Sequence, residues 1–67
     1  MADYRPAVER ALRSILCGPK GTYGNGIEIW YSPRTDRDFT LDATVPTRKM
    51  ANAILREAGH APIFPEG

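Results

Sequence analysis

Apolar residues recur along this chain with two different periods. Tyr4, Val8, Ala11, Leu12, Ile15 and Leu16 fall three and four residues apart, the spacing of one buried face of an α-helix. Asp3 is placed to accept from the free amides of a first turn, and Pro6 is tolerated there. Glu9 and Arg13 form a favourable i,i+4 pair on the wet side, beside Arg10. Gly18-Pro19 predicts the stop, since glycine takes a left-handed conformation and proline cannot continue a helix. A second helix is predicted from about 46 to 58, with Met50, Ala51, Ile54, Leu55 and Ala58 as its apolar stripe. Thr44 or Thr47 is its cap, and Gly59, followed by Pro62, its end.

The middle of the chain switches to a period of two. Ile27-Glu28-Ile29-Trp30-Tyr31 is rich in β-formers, and Asp38 to Thr44 alternates strictly. Ser32 to Arg37 between them is turn-rich and charged. A register centred on Thr35 pairs Tyr31 with Phe39, Ile29 with Leu41 and Ile27 with Ala43, all on one face, which is then the core face. The same register sends Trp30 outward and sets Glu28 opposite Asp42. An outward tryptophan beside two carboxylates reads as a partner surface awaiting a basic group. The alternative is that the C-terminal tail or a third strand covers Trp30.

Residues 18–26 hold four glycines and a proline. They lack the Gly-Lys-Ser/Thr ending of a phosphate loop, so they read as a flexible connection with at most a short edge strand near Tyr23. In the tail, Ile63 and Phe64 lie between prolines and are expected to dock on the domain, form an edge strand, or bind a partner or symmetry mate. The fold class expected is α+β: two helices packed on one face of a short antiparallel β-hairpin or three-stranded sheet, in α-β-β-α order. Residues 1–67 form one domain, with 60–67 as its tail.

Size and charge narrow the function. Sixty-seven residues bury only about 60% of their unfolded surface, which excludes a large enclosed cavity and a two-domain cleft. A net charge of +1 argues against a chain dominated by phosphate contacts, though not against a local basic patch. Arg34 and Arg37 put such a patch on the hairpin loop. Arg48, Asn52 and Arg56, four apart on the second helix, form a stripe suited to phosphate contacts, or a solvated face. The single Cys17 excludes an internal disulfide and, with no apolar signal-peptide core after Met1, points to the cytoplasm. No run reaches the about 20 apolar residues of a membrane span. One histidine and one cysteine leave a structural zinc site short of ligands unless carboxylates or a second chain contribute, and no metal or cofactor is expected.

No catalytic constellation is legible. His60, just past a helix C-terminus, has no positioned nucleophile beside it, and Cys17 reads as a structural thiol. Glu28 and Asp42 on an open sheet face have nothing to separate their proton affinities.

The order helix, loop or short strand, strand, strand, helix resembles the HicA-type toxins, small proteins with a double-stranded-RNA-binding-like fold. Ala53-Ile54-Leu55-Arg56-Glu57-Ala58-Gly59 is similar to that family's closing helix, with its Ile-Leu-x-x-Ala-Gly pattern. Ile29-Trp30-Tyr31-Ser32-Pro33 resembles the strand bearing its active site. The resemblance covers most of the chain and implies messenger-RNA cleavage by a histidine in a Gly-Ser-His-His signature. The corresponding stretch here, Asn25-Gly26-Ile27-Glu28, has no histidine, so that chemistry is expected to be absent or replaced. The function expected is therefore a non-catalytic binding module, a regulator or inhibitor of a larger protein or nucleoprotein assembly, suited to a phage or mobile element. A diverged HicA-like ribonuclease and a plain RNA- or DNA-binding module are the alternatives. A homodimer through the sheet face or tail is compatible with all three.

Overall fold

The computed structural model describes residues 3–65. Its elements run α1 (Arg5–Ser14), β1 (Gly18–Gly24), β2 (Ile27–Ser32), β3 (Arg37–Leu41) and α2 (Arg48–Glu57). The strands form one antiparallel sheet in the order β1-β2-β3. Both helices contribute to one core against one sheet face, through Val8, Leu12, Trp30, Phe39, Leu41, Val45, Ala51 and Leu55. The α+β class holds, but the order is α-β-β-β-α: the glycine-rich segment is a seven-residue strand rather than a flexible connection. Asn25-Gly26 explains it. Both residues have positive φ, 53° and 80°, as a two-residue hairpin turn of primed type requires. Pro19 and two register irregularities sit on this edge strand, where a missing N–H and a bulge are tolerated.

The register of β2 against β3 is the main correction. Trp30 pairs with Phe39, Glu28 with Leu41 and Ser32 with Arg37, one residue away from the pairing expected above. The turn is the four residues 33–36, closed by Asp36 at φ 54°. A one-residue slip carries every side chain of a strand to the other face. Trp30 therefore points inward and is fully buried, while Ile27, Ile29 and Tyr31 lie on the outer face. The inward polar groups find partners. Trp30 Nε1 donates to Glu28 Oε1 at 3.2 Å, and the Arg5 guanidinium pairs with the same carboxylate. Ser32 Oγ, buried, donates to the Ala58 carbonyl at 2.6 Å. Arg13 lies 5.3 Å from the Trp30 ring centroid, a cation over an aromatic face. One large indole in the core, with the flanking polar side chains satisfied, outweighs the three smaller apolar side chains left half-covered outside.

Both helices close with the same hydrogen-bond pattern. At the end of α2, His60 N donates to Leu55 O and Gly59 N to Arg56 O, with Gly59 at φ 84°. This is the Schellman arrangement expected of Gly59. Thr47, rather than Thr44, caps the start by accepting from Met50 N at 3.1 Å. At the end of α1, Cys17 N donates to Leu12 O and Leu16 N to Arg13 O. The left-handed position there is Leu16, at φ 67°, and it is 81% exposed. Leu16 is thus outside the apolar stripe it was assigned to, and the helix stops before Gly18. Asp3 Oδ1 accepts from Arg5 N at 3.1 Å and Val45 N at 3.0 Å, tying the start of α1 to the segment after β3.

Candidate functional site

The residues singled out from the sequence do not assemble into one surface. Trp30 is in the core and cannot anchor a partner. Glu28 is half-covered and engaged by Arg5 and Trp30. Asp42 lies one residue past β3 and faces no second carboxylate, because Glu28 sits opposite Leu41. The Arg48, Asn52, Arg56 stripe is broken at its centre: Asn52 is 1% exposed. Its amide donates to Phe64 O at 2.7 Å and accepts from Phe64 N at 3.1 Å. Arg48 bonds the Tyr4 hydroxyl and the Pro65 carbonyl. Of the loop arginines, both are exposed. Arg37 borders a hollow of mixed charge with Asp38 and Glu57, and Arg34 borders the groove described next.

That groove is built from α1 and the tail. Ala7, Ala11 and Ser14 follow one another on α1 at four and three residues, and such small side chains leave a shallow trough along the helix. The Schellman turn at Gly59 sends the chain back beside it. Asn52 then fixes Phe64, whose ring meets Tyr4 edge-on at 5.4 Å between centroids. This holds Ile63 as the far wall. The hollow measures about 370 Å³ and is lined by Ala7, Arg10, Ala11, Ser14, His60 and Ile63. A smaller one of about 230 Å³, lined by Ile15, Arg34, His60 and Ala61, shares His60 with it. Ile63 stays 51% exposed. The charged side chains lining the two hollows, Arg10 and Arg34, are both cations. His60 Nδ1 lies 2.6 Å from the Ala61 carbonyl. A carbonyl only accepts, so Nδ1 donates to it.

The groove suits an apolar side chain flanked by carboxylates. It has no nucleophile paired with a base, and Cys17 is buried. Among the described residues no group of three or more His, Cys, Asp or Glu is placed to hold a metal ion, and no helix is long and apolar enough to cross a membrane. The groove residues Ala7, Ala11, Ser14 and His60 were missed as a site. The small-residue spacing on α1 was readable, but nothing in the sequence indicated that the tail would fold back against it.

On the opposite face of the sheet, Tyr31 donates its hydroxyl proton to Asp36 Oδ1 at 2.5 Å, and that carboxylate raises the phenol above its ordinary 10.0. Lys20 Nζ sits 3.1 Å from Asp38 and 5.8 Å from the Tyr31 ring centroid. No protein-family model, curated protein or solved structure matches this chain.

Proposed function

We propose that this chain is a non-catalytic binding module that regulates or inhibits a larger protein, and that it docks through the groove between α1 and the tail. The observation that carries this reading is the pairing of an open apolar trough with a rim whose charged members are all cationic. An apolar side chain buried in the trough supplies affinity, and carboxylates beside it meet Arg10 and Arg34, favouring encounter and orientation. The partner segment is therefore acidic, with one or two bulky apolar residues.

The α-β-β-β-α order is the one observation in favour of a relation to HicA-type toxins. It supports a shared architecture rather than shared cleavage. Glu28, in the stretch corresponding to the family's histidine, is held by Arg5 and Trp30.

Short peptides carrying a leucine between aspartates and glutamates test the proposal by NMR. The amide signals of Ala7, Ala11, Ser14, His60 and Ile63 are expected to shift on addition of peptide, and the shifts to vanish in an Arg10→Glu, Arg34→Glu double variant. Perturbations confined to the outer sheet face, or none at millimolar peptide, would sink the docking site.

A further inference from the structure

The tail is held as a ligand is held. Asn52 projects from α2 and is nine-tenths and more buried, yet its amide is spent on the main chain of Phe64, bonding both N–H and C=O. That is how one β-strand reads another, with a side chain standing in for the strand. A buried asparagine is costly unless both ends of its amide are satisfied. Around it, Tyr4 meets the Phe64 ring edge-on, and Arg48 reaches the Pro65 carbonyl at 3.4 Å while bonding the Tyr4 hydroxyl at 3.3 Å. The cleft thus holds this aromatic–proline pair by main chain, ring and following carbonyl.

We propose that this cleft is a peptide-binding site for a Phe-Pro segment, filled here by the chain's own tail, and that its ligand in trans is the tail of a second copy. The segment that fits is part of this chain. It follows residues 60–62, which form no helix or strand after α2. Exchange of tails preserves every cleft contact in both partners, which makes it a low-cost route to a dimer. In a single chain the tail competes at an effective concentration of the order of millimolar, so exchange needs a crowded solution or an emptied cleft.

Two full-length variants separate the halves of the site. Phe64→Ala keeps the cleft and loses the ligand, and Asn52→Ala keeps the ligand and loses the cleft. Each alone is expected to sediment as a monomer, and an equimolar mixture to form a one-to-one dimer. A labelled peptide of residues 60–67 is expected to bind the Phe64→Ala chain at least tenfold more tightly than the wild type, whose tail blocks the cleft. The same peptide with alanine for phenylalanine should not bind. If Asn52→Ala does not fold, circular dichroism will reveal it. The wild type then serves as tail donor to Phe64→Ala, and a one-to-one dimer is expected in a concentrated mixture. A folded Phe64→Ala chain that takes up no peptide at millimolar concentration overturns the site. Peptide binding without dimers in the mixture overturns exchange between copies and assigns the cleft to a foreign Phe-Pro segment.

Discussion

At the scale of single residues, Leu16 occupies a position made for glycine. A left-handed conformation costs an L-residue about 1–2 kcal/mol, and this side chain, 81% exposed, recovers little by burial. Leu16→Gly is therefore expected to stabilise the domain by up to about 1 kcal/mol, the gain being trimmed by the extra entropy glycine loses on folding. In a domain this size that is a rise in melting temperature of about 4–8 °C. A fall would mean that Leu16 packs on something. Two titrations belong to this scale as well. The amides of Val45 and Arg5 hold the Asp3 carboxyl below its ordinary 3.8. The folded state thus prefers the ionised form. Its contribution to stability is complete above 3.8 and fades as pH falls through the lowered value. Asp3→Asn should flatten the loss of urea resistance below about pH 4. An unchanged slope would exclude Asp3 as a source of acid sensitivity. For Tyr31 the sign reverses. Its phenol is raised above 10.0 by Asp36, so the bond is intact below that value and is lost as pH climbs through the raised one. Asp36→Asn should bring its tyrosinate absorbance in at lower pH.

At the scale of elements, what was legible followed from local signals, and what was not depended on a count of one. The second helix could be read because its stripe, threonine cap and Gly59 stop agree. The β2–β3 hairpin could be read because both strands alternate. Its register could not. Ile27, Ile29 and Tyr31 make as regular an inward face as Glu28, Trp30 and Ser32 make an irregular one, and only the four-residue turn ending in left-handed Asp36 decides between them. The β1–β2 hairpin has its signal in Asn25-Gly26, which the surrounding glycines obscure. The candidate groove was illegible because half of it is tail. The helix end that aims the tail gives a direct test of the element. A β-carbon at Gly59 would lie 3.1 Å from Thr35 Cγ2 and 3.2 Å from Arg34 Cβ, at φ 84°. Gly59→Ala is expected to cost about 1–3 kcal/mol, measured by urea unfolding, and to loosen the hairpin loop and the tail together. Amide exchange that rises in neither would show the two to be independent.

At the scale of the whole molecule, Trp30 links the sheet to both the core and the polar network under α1. Its ring lies between Arg13 and the apolar side chains of the core, and its Nε1 donates to Glu28, which in turn holds Arg5. Removing a buried aromatic ring costs about 3–5 kcal/mol. A single core of this size rarely supplies more than about 3–5 kcal/mol in total, so the substitution consumes most of the stability. Trp30→Ala is therefore expected to abolish the cooperative unfolding transition and collapse the amide dispersion of the whole domain. A surface tryptophan would behave differently, its loss leaving the melting temperature within a degree or two and affecting only an interaction. The two readings of this residue thus separate in a single melting curve of the purified variant, with no partner in hand. A cooperative transition near the wild-type temperature would return Trp30 to the surface and overturn the one-residue register on which the fold, the groove and the tail cleft all depend.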